Sequence, residues 1–208
     1  GFDPAMRGWI EDVPSYLPPV AIGEPMRASG VAQVVQSENA ALPVGSLVQC
    51  LTHWQEYSVG DPAALIPPTV LPPGTPPNLA LSIFGVTSLT AYFGLLDVGQ
   101  PRSGETVLVS GAAGATGSVV AQIARLQGCR VVGIAGGREK CEWLRTACNI
   151  DAVIDYKAEN LQKRIAELCP QGVDVFFDNV GGHTLETAIG QMANFGRIVL
   201  CGAIASYN

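Results

Sequence analysis

The sequence predicts an α/β protein in which a doubly wound parallel sheet follows a compact β domain. Three observations carry that expectation. From Gly104 onward, short apolar β-branched runs alternate with amphipathic segments, the pattern of right-handed βαβ units in a parallel sheet. The first unit reads Val107-Leu-Val-Ser-Gly-Ala-Ala-Gly-Ala-Thr-Gly-Ser-Val-Val-Ala-Gln-Ile-Ala124, an apolar strand that breaks into Gly111, Gly114 and Gly117 and runs straight into a helix. Before residue 67 helical periodicity is missing, and short extended runs are separated by turn residues.

Along the chain, Gly30-Val-Ala-Gln-Val-Val35 and Gly45-Ser-Leu-Val-Gln-Cys50 are the predicted extended runs of the β domain. A connector from Pro67-Pro68 to Pro76-Pro77 follows, which can be neither helix interior nor central strand. Leu79 to Leu96 reads as helical, interrupted by Gly85. Strands are expected at Thr106–Ser110, Arg130–Ala135, Ala152–Asp155, Val173–Asp178 and Arg197–Cys201. Helices are expected between them at Gly117–Gln127, Glu139–Ala147, Glu159–Leu168 and Thr184–Ala193. The division falls near residue 80, giving a β domain over 1–78 and a sheet domain over 79–208. The opening at Gly1 and the stop just past a fifth strand lead us to expect a chain truncated at both ends.

Composition narrows the class. A hydrophobic content of 48% is ample for a packed core, and a net charge of −6 with no basic run argues against nucleic acid and anionic membranes. No apolar run is long enough to span a bilayer. The six cysteines form no Cys-x-x-Cys pair, and with two histidines, His53 and His183, a zinc site has few ligands. A reduced, cytoplasmic protein is the simplest expectation. Neither histidine is a strong candidate for a general base.

The glycine turn suits a pyrophosphate, because backbone N–H groups and the positive end of a helix dipole converge there. Packing alone would also explain such glycines. An NAD-preferring site places Asp or Glu at the end of the second strand, where this sequence has Ala135-Gly136-Gly137-Arg138-Glu139-Lys140. The missing acid and the added bases point to the 2′-phosphate of NADP, with Lys140 supplying charge and Tyr156 a hydroxyl or a cover for the ribose. The alternative is that Arg138 and Lys140 are solvated and paired with Glu139 or Glu142. Strand ends carry ligands in such sheets, so Asp178-Asn179-Val180-Gly181-Gly182 and Cys201-Gly202-Ala203-Ile204-Ala205-Ser206-Tyr207-Asn208 should line the cleft. Asn179 could bond a ribose or nicotinamide edge, and Gly181-Gly182 let backbone approach a ligand, although turn formation would explain these residues too.

Several stretches together are similar to one family: Leu89-Thr-Ala-Tyr-Phe-Gly-Leu-Leu96, Gly128-Cys-Arg-Val-Val-Gly-Ile-Ala135, Phe177-Asp-Asn-Val-Gly-Gly182, Phe195-Gly-Arg-Ile198 and Cys201 to Asn208. Asp3-Pro-Ala-Met-Arg-Gly-Trp9, Ser15-Tyr16 and Trp54-Gln-Glu-Tyr57 extend the likeness into the β domain. The family is the zinc-independent medium-chain dehydrogenases/reductases that include prostaglandin, curcumin and plant alkenal double-bond reductases. The resemblance implies a GroES-like β domain beside a Rossmann domain, with NADPH used to reduce α,β-unsaturated aldehydes and ketones, including oxoprostaglandin-like substrates. It implies that Gly114, Ala115, Thr116 and Gly117 cradle the pyrophosphate, that Lys140 and Tyr156 meet the 2′-phosphate region, and that Asn179 meets the nicotinamide ribose. It implies too that Cys201, Gly202, Ala203, Ile204, Ala205, Ser206 and Tyr207 line the nicotinamide pocket, and that the protein is a homodimer. Two positions depart from the family pattern: Ala5, often Tyr, and Ser88, commonly Gly. Zinc-dependent relatives carry Gly-His-Glu near the start of the β domain, where Ile22-Gly-Glu-Pro-Met26 has no histidine.

The expected chemistry is metal-independent hydride transfer to the β carbon of an enone, with Tyr207 donating a hydrogen bond to the developing enolate oxygen. Tyr207 could instead simply pack against the cofactor. A quinone reductase or alcohol dehydrogenase on the same fold, or a non-catalytic nucleotide-binding protein, are the competing readings.

Overall fold

The computed structural model describes residues 3–12, 17–61, 63 and 66–207. Ser15-Tyr16 and Asn208, part of the motifs above, lie outside the described residues. The chain forms two compact units, Gly1–Gly85 and Val86–Asn208.

In the first unit a short helix α1 (Met6–Trp9) precedes three antiparallel strands, β1 (Ser29–Gln33), β2 (Leu47–Leu51) and β3 (Thr69–Val70). In β1 and β2, Gly30 faces Cys50 and Ala32 faces Val48, and Val48 and Cys50 are buried. The proline-rich connector contributes β3, which pairs with β2 alone. Proline is tolerated at such an edge, where one side of the strand needs no partner. Pro77 then opens α2 (Pro77–Leu81) at a position where a missing N–H costs nothing.

The helical stretch expected over Leu79 to Leu96 is divided differently. α2 ends at Leu81, and at Gly85 an added Cβ would strike the Leu81 carbonyl, so the chain turns there. Helix α3 (Val86–Phe93) begins afresh in the second unit and widens into a π-helical turn, Gly94–Gly99. Gln100 takes the left-handed conformation after it. The Arg197 side chain satisfies the carbonyls this wide turn leaves open, donating to Gly99 O at 3.1 Å and Gln100 O at 2.9 Å.

Beyond it lie β4 (Thr106–Val109), α4 (Ala115–Leu126), β5 (Arg130–Ala135), α5 (Arg138–Thr146), β6 (Ala152–Asp155), α6 (Leu161–Leu168), β7 (Val173–Asp178), α7 (Gly182–Ile189) and β8 (Met192–Leu200). The five strands form a parallel sheet in the order β6-β5-β4-β7-β8. Alternate side chains feed two cores. Val107, Val109, Val131 and Phe177 pack with Ala91, Val120 and Leu144 on one face, and Leu108, Val132, Ile154 and Phe176 pack with Ile165 and Ala188 on the other. Helices therefore cover both faces, as a doubly wound sheet requires. Chain order reverses between β4 and β7, which opens a crevice at the carboxyl ends of those two strands.

The last helix is shorter than its sequence suggests and the last strand longer. Expected over Thr184–Ala193, the helix stops at Ile189, and Gln191 O already accepts the Val173 N–H at 2.9 Å. Pairing with β7 thus overrides the helical propensity of Gln191-Met-Ala193. The irregularity between Val173 and Val175 and the left-handed Phe195 absorb the mismatch. Among the described residues no helix is long and apolar enough to cross a membrane.

Candidate functional site

All predicted site residues fall in the second unit, on the loops and first helical turns that follow the carboxyl ends of its strands. Taken across the sheet, the order is Tyr156 after β6, Lys140 beyond β5, Gly114 to Gly117 after β4, Asn179 after β7 and Tyr207 after β8. Four strand spacings separate the ends of this row, roughly 19 Å at about 4.8 Å per strand, so it suits an extended ligand.

At the centre, Gly111 takes φ +57° and turns the chain out of β4, and Gly114 is the extended residue that precedes α4. Gly117 cannot be another residue without rearrangement, since a Cβ there would collide with Gly111 O and lie 2.9 Å from Ala112 Cα. Helix and turn therefore pack backbone to backbone. As in any α-helix, the first N–H groups, here Ala115, Thr116 and Gly117, have no acceptor within the helix, and Gly114 has no side chain to cap them. These donors lie at the positive end of the dipole, a favourable place for an anion.

Beside it lies a network that the sequence reading did not assign. The Asp178 carboxylate is fully buried at the end of β7. It accepts hydrogen bonds from Ser110 Oγ at 2.6 Å, Val180 N at 3.0 Å and Gly181 N at 3.0 Å. The Ser110 hydroxyl in turn accepts Asn179 N at 2.8 Å, and Asn179 Nδ2 donates to Ser110 O at 2.7 Å. The backbone carbonyl of Asp178 takes the N–H groups of Cys201 and Gly202 at 2.8 and 3.1 Å. One residue thereby fixes the exits of β4, β7 and β8. The signal was present in the sequence, because an acid closing an apolar strand is costly unless partnered. Asn179 is held with its amide nitrogen used internally, which leaves Oδ1 as the group it can offer.

The segment after β8 folds onto this platform. Ala205 N donates to Val180 O at 3.0 Å, and Gly181 lies against Ala203, so the backbone that approaches Gly181 is that of this segment. Ile204–Ser206 forms a single 3-10 turn that brings Tyr207 back over Gly202. The Ala203 N–H donates to Tyr207 Oη at 3.1 Å. The phenol oxygen is thus engaged as an acceptor, and its own proton meets no acceptor among the described residues. Cys201 is half-buried, whereas the other five cysteines are buried, and burial pushes the thiols of Cys50, Cys129, Cys141, Cys148 and Cys169 up.

At the far end of the row, no carboxylate ends β5. Lys140 is exposed in the first turn of α5, and Tyr156 lies across Gly136, where a Cβ would sit 2.7 Å from the ring. Tyr156 N also donates to Ala135 O at 3.1 Å. Glu142 pairs with Arg145 instead of Arg138 or Lys140, and neither of those two cations has an ion-pair partner among the described residues. Lys157, which the sequence reading passed over, runs its stem along the same glycine.

Two family models match: "N-terminal domain of oxidoreductase" over residues 1–67 and "Zinc-binding dehydrogenase" over residues 115–208. The NADPH-dependent curcumin reductase of Escherichia coli is 39% identical over 99% of this chain and 59% of its own length. Prostaglandin reductase 1 of Bos taurus is 47% identical over 89% of this chain and 57% of its own. The crystal structure of CurA in complex with NADPH from Vibrio vulnificus matches with a TM-score of 0.92 and 41% identity, over 99% of this chain and 60% of that one. The chain belongs to the medium-chain dehydrogenase/reductase family. It spans about 60% of the length of the curated relatives it matches. Among the described residues no group of three or more His, Cys, Asp or Glu side chains is gathered as a cation would need.

Proposed function

We propose that the protein is an NADPH-dependent reductase that saturates the carbon–carbon double bond of α,β-unsaturated aldehydes and ketones without a metal. The observation that carries the reading is the corner at the ends of β5 and β6. A carboxylate closing β5 would bind ribose hydroxyls and repel a 2′-phosphate; this chain has two glycines there, with unpaired cations and the Tyr156 ring beside them, while the Asp155 carboxylate that closes β6 is engaged by the Gly137 and Lys157 N–H groups. The named activities of the curcumin and prostaglandin reductases it resembles support the substrate class.

In this reading the N–H groups of Ala115, Thr116 and Gly117 hold the pyrophosphate in the cradle that Gly114 and Gly117 keep open. Lys140 and Tyr156 receive the 2′-phosphate, and Asn179 presents Oδ1 to the nicotinamide ribose. Residues Cys201, Gly202, Ala203, Ile204, Ala205 and Ser206 wall the nicotinamide pocket. When bound, the reduced nicotinamide supplies the hydride that the β carbon accepts. Tyr207 donates its proton as a hydrogen bond to the carbonyl oxygen where charge develops, and the bond it accepts from Ala203 N–H polarises the phenol and strengthens that donation. Solvent then protonates the α carbon. A small electrophilic alkene is the partner, with no nucleic acid or membrane involved. Cysteines without disulfides support a cytoplasmic enzyme, and the family resemblance supports a homodimer.

The test is NADPH oxidation followed by absorbance, with alkenals, enones, quinones and alkanones as acceptors. We expect turnover on alkenals and enones, NADPH preferred over NADH, and a loss of about 10²–10³-fold in rate for Tyr207→Phe. Turnover on quinones alone would make the protein a quinone reductase. Tight NADPH binding without turnover on any acceptor would make it a nucleotide-binding protein.

A further inference from the structure

The chain has twelve Lys and Arg side chains. Among the described residues Arg7, Arg125, Arg145, Lys163, Arg164 and Arg197 face carboxylates. Arg27 and Arg130 donate to carbonyl oxygens, and Arg102 sits in the field of Glu105. The three that remain, Arg138 and Lys140 in the first turn of α5 and Lys157 in the loop after β6, all stand just beyond the carboxyl ends of β5 and β6. In an acidic protein, leaving its unpartnered cations at one corner is a charge arrangement with a direction.

Lys157 is held there by more than its place in the sequence. A single carboxylate oxygen, Asp155 Oδ1, accepts the N–H of Gly137 at 2.9 Å and the N–H of Lys157 at 3.1 Å. The loop after β5 and the loop after β6 are therefore tied at one atom. Asp155 N donates to Glu159 Oε2 at 2.8 Å, which anchors the turn to the start of α6. Tyr156 lies over Gly136, and the Lys157 Cε atom is 3.0 Å from where a Cβ of Gly136 would be. The exposed Lys157 ammonium is one bond beyond that Cε atom, which shares the space over Gly136 with the Tyr156 ring. An exposed lysine would otherwise spread over many rotamers, so a stem lying along a glycine beside a ring is a restrained one.

We propose that Lys157 is a specificity-determining residue, a second lysine that binds the 2′-phosphate together with Lys140 and so sets the preference for NADPH over NADH. This rests on the NADP reading above and deepens it. A phosphomonoester dianion has three acceptor oxygens, more than one lysine and one phenol satisfy, and a charge-assisted hydrogen bond to it has a clear signature in affinity.

The experiment is titration calorimetry on the whole protein with four probes: NADPH, NADH, 2′,5′-ADP and 5′-AMP. The variants are Lys157→Gln, Lys157→Arg and, as a control for a surface lysine, Lys163→Gln. We expect Lys157→Gln to weaken NADPH and 2′,5′-ADP by about 10–100-fold. NADH and 5′-AMP should stay within about twofold, Lys157→Arg should restore most of the loss, and Lys163→Gln should change nothing. Equal weakening of all four probes would overturn the proposal and leave Lys157 a structural residue. An unchanged NADPH affinity in Lys157→Gln, with wild type still preferring NADPH, would overturn it while sparing the NADP reading. A wild-type protein that binds NADPH and NADH alike would defeat the NADP reading itself.

Discussion

Replacing Asp178 by alanine should cost more stability than any surface substitution, and the size of the loss follows from its partners. The carboxylate holds two buried donors, Ser110 Oγ–H and Gly181 N–H, and one half-buried donor, Val180 N–H. A buried donor left without a partner costs about 1–3 kcal/mol, so the two buried ones alone set a scale of about 2–6 kcal/mol. Removing a buried charge returns part of its desolvation, and water entering the vacated space can serve the Val180 N–H, so the lower half of that range is expected. Asp178→Asn keeps the volume and one acceptor oxygen but turns an NH2 group toward one of the donors; it should lose about 1–3 kcal/mol. Urea unfolding measures both, and the slope should stay constant while the midpoint moves. A loss below about 1 kcal/mol for alanine, or an alanine variant no worse than asparagine, would refute the account of this residue as the tie between three strand ends.

Three further outcomes are expected. Ser88 is buried in α3 and its hydroxyl has no hydrogen-bond partner among the described residues, so Ser88→Ala should raise stability by about 1 kcal/mol in the same urea assay; a destabilised variant would mean the hydroxyl is in use. The hydrogen bond from Arg197 holds the Glu105 carboxyl below its ordinary value, which makes the pair's stabilisation complete above the usual glutamate value of about 4.3 and lost as pH falls through the lowered one. The stability gap between wild type and Glu105→Gln should therefore shrink on acidification, and a gap that stays constant from neutral to strongly acid pH would contradict the assignment. A maleimide at neutral pH should label half-buried Cys201 before the five buried cysteines whose thiols are shifted up; mass spectrometry showing Cys141 or Cys148 modified first would contradict the burial seen here.

The sequence made the sheet legible because two periodicities agree there, the apolar strands and the amphipathic helices, with Gly111, Gly114 and Gly117 marking where one becomes the other. It misplaced the start of β8, because Gln191-Met-Ala193 favours a helix locally and only pairing with Val173 decides otherwise. The break between α2 and α3 was visible as Gly85, but the π-helical turn was not, since its stability depends on Arg197, about a hundred residues away along the chain. Within the site, residues that act through the chain's own backbone, such as Gly117, could be read from spacing. Asp178 was visible as an acid closing an apolar strand, but its partners were not, and Asp155 and Lys157 could not be assigned, because their significance depends on which loops the sheet order brings side by side.

On the proposed NADPH-dependent function, that side-by-side placement also limits how the cofactor preference can change. The position at the end of β5 where an acid would favour NADH is Gly136, and the Tyr156 ring already occupies the space of its side chain. A Gly136→Asp substitution alone must displace the ring, so the first step toward NADH should impair binding of both cofactors. A smaller residue at 156 alone should weaken NADPH without giving NADH a ligand. The two changes are useful only together, which makes the route between cofactors a valley in fitness rather than a slope. A gain of NADH affinity at this corner, by engineering or by drift, has to move through paired substitutions at 136 and 156, whereas a loss of NADPH affinity can come from Lys157 alone.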